Sequence, residues 1–436
     1  MLVRSQRSIC KIFRLANLNN RLWTEQLTKM EALSVLLPPV LIALTVICVQ
    51  EAWRMRDSLQ GYKQVTIRSA SNMTDEYDRK YTKPASAHDT SRLQVKALYI
   101  HPIKSCGGVE LDVADVDAAG LTWDRKFAFA ELLTPQTRVD APEAEKKPRW
   151  TFRTLRQPGF EKLALVKPEI WTPETASKKS NAKDQGFMIV KYPRITRGPL
   201  ASIIELAVWL GFISSERSFR VPLIPSENHQ YPSEQVTIWK DSPHWLNMGV
   251  HVPHGFRAYL GVRNPLTLFR VDPKNYREVH RCAPGKEQLG YQSVVGFADA
   301  YPVHLLNIAS VRDVAGKVAK DIPRLSARRF RSNILVSGPV AYNEDEWKRI
   351  KIGNHLFYCA CHTVRCRLPN VDPDTAERHQ VEPDKTLKSF RCIDDGDPLN
   401  ACLGLQLVPA GSAEFQIRVG DEVQVLERGE HHYIKQ

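Results

Sequence analysis

The chain has 436 residues, 43% of them hydrophobic and 25% charged, which is enough apolar material for one large or two modest cores and too much for disorder throughout. A formal charge of +13 would suit an anionic membrane, a nucleic acid or a pocket for phosphorylated ligands; with no Cys/His array of finger spacing, no aromatic-glycine RNA signature and no long Lys/Arg tract, nucleic acid is not expected. Nine cysteines, an odd number spread thinly along the chain, are unlike a disulfide scaffold and favour a reducing compartment.

Residues 1–31 form a basic segment in which Arg4, Arg7, Lys11 and Arg14 precede any acid, a pattern like that of mitochondrial targeting segments. Residues 32–49, ALSVLLPPVLIALTVICV, carry no charge and approach the length of a membrane-crossing helix. Pro38 and Pro39 would kink such a helix without excluding it. A cleaved secretory signal fits poorly, because a long segment precedes the apolar run and no small-x-small site follows closely. The expectation is a transmembrane anchor, with a buried core helix as the alternative. Residues 50–92 are polar and lack apolar periodicity, so they read as a tether.

The folded body is expected from Leu93, where Leu93, Val95, Ala97 and Tyr99 alternate with mostly polar neighbours as in a half-buried strand. Val109, Leu111 and Val113 alternate after Gly107-Gly108 and suggest the second arm of a hairpin. Phe127 and Phe129 suggest another strand. Lys146–Pro148 and Thr172–Gln185 read as loops. Ile203–Phe212 and Leu306–Val318 have helical spacing, and strands return at Ile334–Val336 and Ile350–Phe357. Near the end, FQIRVGDEVQVLE places Gly420-Asp421 between two alternating runs, the mark of a closing hairpin. The fold class is mostly β with a few helices, a barrel or folded sheets.

The richest chemistry lies in CACHTVRCRLPNVDPDT, which combines Cys359, Cys361, His362, Arg365 and Cys366. Zinc is one reading, although C-x-C-H-x3-C without a second pair is unlike a structural finger. A thiol activated by Arg365 is another, since an adjacent cation favours thiolate. A third is ligation of a soft metal by one thiolate, with arginine holding an anion beside it. Against all three stands plain packing, above all for Cys359 and Cys361.

Six strings then occur in a recognisable order: HPIKSC at 101–106, DRKF at 124–127, RRFRSNILVSG at 328–338, VRCRLPNVDPDT at 364–375, EPDKTLKSFR at 382–391 and VGDEV at 419–423. Together they resemble the MOSC family with its amino-terminal β-barrel partner, most closely the amidoxime-reducing component type. The resemblance implies an amino-terminal MOSC β-barrel domain over 93–290 and a MOSC β-barrel core over 291–430. It implies a molybdenum–molybdopterin cofactor, with Cys366 completing the metal's coordination as the catalytic residue. Lys104, Ser105, Arg125, Asp299, Arg331 and Arg365 match cofactor-contacting positions. It further implies reduction of N-hydroxylated compounds such as amidoximes, hydroxylamines and N-oxides, with electrons from cytochrome b5 and its NADH-dependent reductase. The location implied is the outer mitochondrial membrane, with the body in the cytosol. Two positions depart from the pattern: Val364 replaces a small polar residue, and Ala376 replaces the glycine usual after VDPDT. A pyridoxal-phosphate desulfurase, as in the molybdenum-cofactor sulfurases, cannot fit before residue 93, but a cofactor-binding or sulfur-carrier module without turnover of its own fits the same strings. A third reading is a zinc-stabilised β scaffold for partner binding.

Overall fold

A computed structural model describes residues 58–82, 92–134, 147–174, 186–196, 198, 201–225 and 230–434. The expected targeting segment and the anchor at 32–49 lie outside these residues. Among the described residues no helix is long and apolar enough to cross a membrane. The chain divides into two compact units. One takes in 196–215, with the helix Ala201–Trp209. The other runs through 61–195 and from Glu216 onward, and it holds the sheets and the site.

The larger unit is mostly β, as expected. Its main sheet has eight strands in the order Val423–Arg428, Trp347–Ile352, His355–Val364, Cys402–Pro409, Val303–Asn307, Ile334–Ser337, Gln94–Ile100 and Val109–Leu111. Ser233–Thr237, His244–Asn247, Leu266–Arg270, Phe127–Leu133 and Arg149–Phe152 close into a five-stranded barrel. The main sheet draws strands from both of the expected domains, since Gln94–Ile100 pairs with Ile334–Ser337.

Both faces of that sheet are covered. Val95, Leu98, Ile100, Leu305, Ile334 and Leu405 join one apolar cluster. Ala97, Tyr99, Leu306, Leu335 and Leu403 join another, with Val311, Val314 and Val318 of the helix Ile308–Lys317. The single-face alternation from Leu93 to Tyr99 therefore needs correction. Pairing shifts between Leu335↔Ala97 and Val336↔Val95, so Lys96 is an extra residue, and a one-residue bulge exchanges the faces of a strand.

Two further expectations are corrected. Part of the supposed tether is folded: Tyr62–Val65 pairs with Lys167–Pro173, and the Tyr62 ring meets Phe187 edge-on at 4.8 Å. Met73 is buried in the helix-side cluster, and the buried Glu76 carboxylate accepts the backbone N–H of Ala327 at 3.1 Å. The polar residues that imitated a linker here cap turns. Nor do the arms around Gly420 form a hairpin. Phe415–Arg418 pairs with Val113–Asp117, whereas Val423–Arg428 pairs with Trp347–Ile352. Gly420, at φ +90°, turns the chain from one sheet into the other.

Ala376, which stands where the resembling family commonly has glycine, holds left-handed backbone at φ +60°. Its N–H donates to Asp372 O at 3.0 Å, and Asp372 Oδ1 accepts from the N–H groups of Asp374 and Thr375, so the turn is held from several points. A Cβ in this conformation costs roughly 1 kcal/mol. Ala376→Gly is therefore expected to raise stability by about 0.5–1 kcal/mol in denaturant melts. A loss of stability would show the turn unstrained.

Candidate functional site

The site is assembled at strand ends. The loop 101–108 joins the first two paired strands of the body, and Lys104 N donates to Phe127 O at 2.8 Å. Arg125 lies in the turn before Phe127–Leu133, with its N–H on His101 O at 2.9 Å. Phe297 N donates to Arg125 O at 2.9 Å, which draws the segment leading to Asp299 across that turn. Gly296 permits this approach, because a Cβ there would lie 3.0 Å from Arg125 O and 2.8 Å from the Val271 side chain. Arg331 caps the 3-10 helix Ala327–Phe330, and Arg365 and Cys366 follow the end of His355–Val364.

These loops bring all seven residues singled out from the sequence, Lys104, Ser105, Arg125, Asp299, Arg331, Arg365 and Cys366, to the wall of one cleft. Three of them, Ser105 (φ 71°), Arg125 (φ 49°) and Arg331 (φ 54°), hold left-handed backbone that L-residues avoid. Such strain persists only where surrounding contacts impose it, and it clusters at functional sites.

The cleft is cationic. Lys104, Arg125, Arg156, Arg331 and Arg365 line it against the single carboxylate of Asp299. Lys104 Nζ donates to Phe297 O at 2.7 Å and to Asp299 Oδ1 at 2.6 Å. Asp299 is 57% exposed, and Lys104, Arg125 and Arg156 together hold its carboxyl well below the usual carboxylate range. Arg125 pairs with the buried Asp124 and donates to Arg331 O at 2.8 Å and Asn333 Oδ1 at 3.2 Å. Burial and the neighbouring Arg125 push Arg331 down to about 10, and burial does the same to Arg365, so both stay charged at neutral pH. Arg365 Nη2 donates to Phe330 O at 3.0 Å, with the guanidinium 5.1 Å from the Phe330 ring centre.

Four residues escaped the sequence reading. His304 lines the cleft, and burial with the nearby Arg365 and Arg125 holds it far below its usual range, hence neutral. Its Nε2 lies 3.4 Å from Arg365 Nη1 and can accept from it. Asn333, fully buried, joins Tyr99 O, the His304 N–H and Arg125. Arg277 donates to the carbonyls of Ala298 and Asp299 and so fixes their loop. Arg156 stands over the Trp239 ring at 4.4 Å. Asn333 lies inside a quoted string, RRFRSN, and could have been found there; nothing in the local sequence marks the other three.

The cysteines separate clearly. Cys359 and Cys361 are buried in their strand, and burial pushes both thiols up, as packing requires. Cys366 is a half-buried free thiol on the cleft wall. The three do not form a zinc cluster. Among the described residues the one grouping of possible metal-ligating atoms is His362, Asp394 and Cys402. There His362 Nδ1 meets Asp394 at 2.8 Å and Nε2 meets Asp345 O at 3.1 Å, while Asp394 also accepts from Gly396 and Tyr433 N–H groups. Both ring nitrogens and the carboxylate are thus already engaged by protein groups.

Comparison with known proteins is consistent with this geometry. The MOSC domain matches residues 292–424, and the MOSC N-terminal beta barrel domain matches 92–170. Mitochondrial amidoxime-reducing component 1 of Mus musculus is 33% identical over 339 residues, covering 76% of this chain and 82% of the relative. The chain belongs to the MOSC family, of the mitochondrial amidoxime-reducing component type. Mitochondrial amidoxime reducing component 2 of Rattus norvegicus is 38% identical over 148 residues, covering 34% of this chain and 42% of the relative. Molybdenum cofactor sulfurase of Oryza sativa subsp. japonica is 24% identical over 70% of this chain, which corresponds to 32% of that longer protein. Members of this family thus place the chain's function in molybdenum-cofactor chemistry.

The residues present fit such a group. Arg331 Nη2 and Arg365 Nε are buried N–H donors without an acceptor among the described residues. Leaving such donors unpaired costs about 1–3 kcal/mol each, and a phosphate or pterin acceptor would recover it. Ser105 Oγ accepts the Leu155 N–H at 3.2 Å, which leaves its O–H to donate. Arg331→Gly separates the roles of this position. Removing the Cβ from left-handed backbone should leave the melting temperature unchanged or higher, while pterin recovered per protein falls about tenfold or more. Full pterin content in the variant would remove Arg331 from the binding set.

Proposed function

We propose that this chain is a membrane-anchored molybdenum reductase of N-hydroxylated compounds, amidoximes, hydroxylamines and N-oxides among them, held at the outer mitochondrial membrane through residues 32–49. The supporting observation is the meeting, in one cleft, of the free Cys366 thiol with two buried arginine N–H donors, Arg331 Nη2 and Arg365 Nε, that lack acceptors among the described residues. Cys366 would supply the protein's thiolate to molybdenum, and Arg331, Arg365 and Ser105 would hold the anionic and polar parts of the pterin. When bound, the cofactor supplies two-electron oxygen-atom chemistry. The protein's own contribution is orientation: Lys104 and Asp299 fix each other at the rim, and neutral His304 accepts from Arg365 without adding charge. With no flavin or nicotinamide fingerprint in the sequence, electrons come from cytochrome b5 and its NADH-dependent reductase. The net charge of +13 would attract an acidic donor.

The test is NADH-dependent reduction of benzamidoxime by the full chain with cytochrome b5 and its reductase, alongside molybdenum and pterin analysis. Turnover that falls as salt rises is expected. Bound pterin without turnover would favour a cofactor-binding or sulfur-carrier role, the reading that the sulfurase relatives suggest. Zinc without molybdenum would exclude both.

A further inference from the structure

The segment between the strands Phe187–Pro193 and Glu216–Pro222 differs chemically from the rest of the surface. Its helix, Ala201–Trp209, has no buried residue, and Ile203, Leu206 and Trp209 are 64%, 55% and 80% exposed. Leu210, just after it, is 49% exposed. Helices on soluble surfaces carry one apolar stripe and an opposite polar face. Here GPLASIIELAVWLGFI, residues 198–213, contains a single charge, Glu205, whose carboxylate accepts from Thr196 Oγ1 at 2.8 Å.

The flanks indicate what covers this apolar surface. Arg194 and Arg197 precede it and Arg217 and Arg220 follow it, against one acid, Glu216, which pairs with Lys167 at 2.9 Å. An apolar segment flanked in sequence by arginines complements hydrocarbon beneath anionic headgroups. Tryptophan is suited to the boundary between them. Nine helical residues span only about 14 Å, too short to cross a hydrocarbon layer of about 30 Å, so the helix would lie in the interface.

We propose that residues 198–213 are a second bilayer contact, in addition to the 32–49 segment, which inserts Ile203, Leu206, Trp209 and Leu210 into the interface of an anionic membrane. Two attachments hold the chain at a bilayer more firmly than either does alone. The inference does not depend on the reaction proposed above.

The experiment uses the full chain in phosphatidylcholine–phosphatidylserine vesicles, with a diazirine-bearing amino acid in place of Trp209. Illumination and mass spectrometry should find lipid adducts at that position, and none when the probe replaces Val250, which is 73% exposed elsewhere. Ile203→Glu with Leu206→Glu should reduce adduct yield by about tenfold or more, while pterin content stays unchanged. Adducts confined to peptides, whether of a second copy or of residues 32–49, would overturn the proposal. So would yield that ignored the double substitution or the phosphatidylserine content.

Discussion

Cys366→Ser is expected to yield a folded protein that carries no molybdenum. The thiol lies half-buried at the mouth of its strand, so exchanging sulfur for oxygen disturbs little packing and should change stability by less than about 1 kcal/mol. On the proposed ligation the metal would lose the one thiolate that lines the cleft among the described residues, since Cys359 and Cys361 are sealed in the sheet. A serine hydroxyl is a much poorer ligand than thiolate for a sulfur-preferring metal. Elemental analysis beside a thermal melt reads both quantities, with at least about a hundredfold fall in metal expected. A serine variant that retained one molybdenum per chain would refute the ligand assignment.

Asp124→Ala should have the largest effect on folding. Its side chain is 2% exposed, accepts the His101 N–H at 2.7 Å and pairs with Arg125. Removing it leaves the half-buried Arg125 beside Arg331 without its paired carboxylate, a change that costs up to about 3–5 kcal/mol. The loss propagates to the cleft because Arg125 also holds Arg331 O and Asn333. Asp124→Asn keeps an acceptor for the His101 N–H and should lose less.

The same carboxylate carries acid sensitivity. Burial alone would raise its pKa, but Arg125 and the hydrogen bond from the His101 backbone N–H outweigh this and hold it well below the ordinary range. Because the folded value is depressed, its contribution is present above the unfolded value of about 3.9 and is lost as pH falls through the folded value. Stability measured from pH 6 downward should therefore fall less steeply in Asp124→Asn than in the parent below about pH 4. Parallel curves would show that another group dominates.

Much of this design is legible in the chain because strand alternation and short ordered strings survive in one dimension. HPIKSC, DRKF, RRFRSN and VRCRLP each end a strand or fill a turn, so their charged residues converge once the strands pair. The bulge at Lys96 was hidden, because an extra residue reverses the faces without breaking the alternation of residue types. Gly420-Asp421 has the composition of a hairpin turn, and only the partners of its two arms reveal a transfer between sheets. The left-handed backbone of Ser105, Arg125 and Arg331 has no signature in residues that prefer other conformations. His304 reads as one polar residue in an apolar strand, and its neutrality depends on arginines brought from distant segments.

The ion pair between Lys104 and Asp299 joins positions 195 apart, and Arg125 reaches Asn333 across 208. Gln94–Ile100, made early, pairs with Ile334–Ser337, made late. During synthesis the first strands must wait, with one sheet edge open, until most of the chain has left the ribosome. The cleft cannot exist before then, so any cofactor would load only after the late strands have emerged, and the waiting edge is a stage at which this protein is exposed to aggregation.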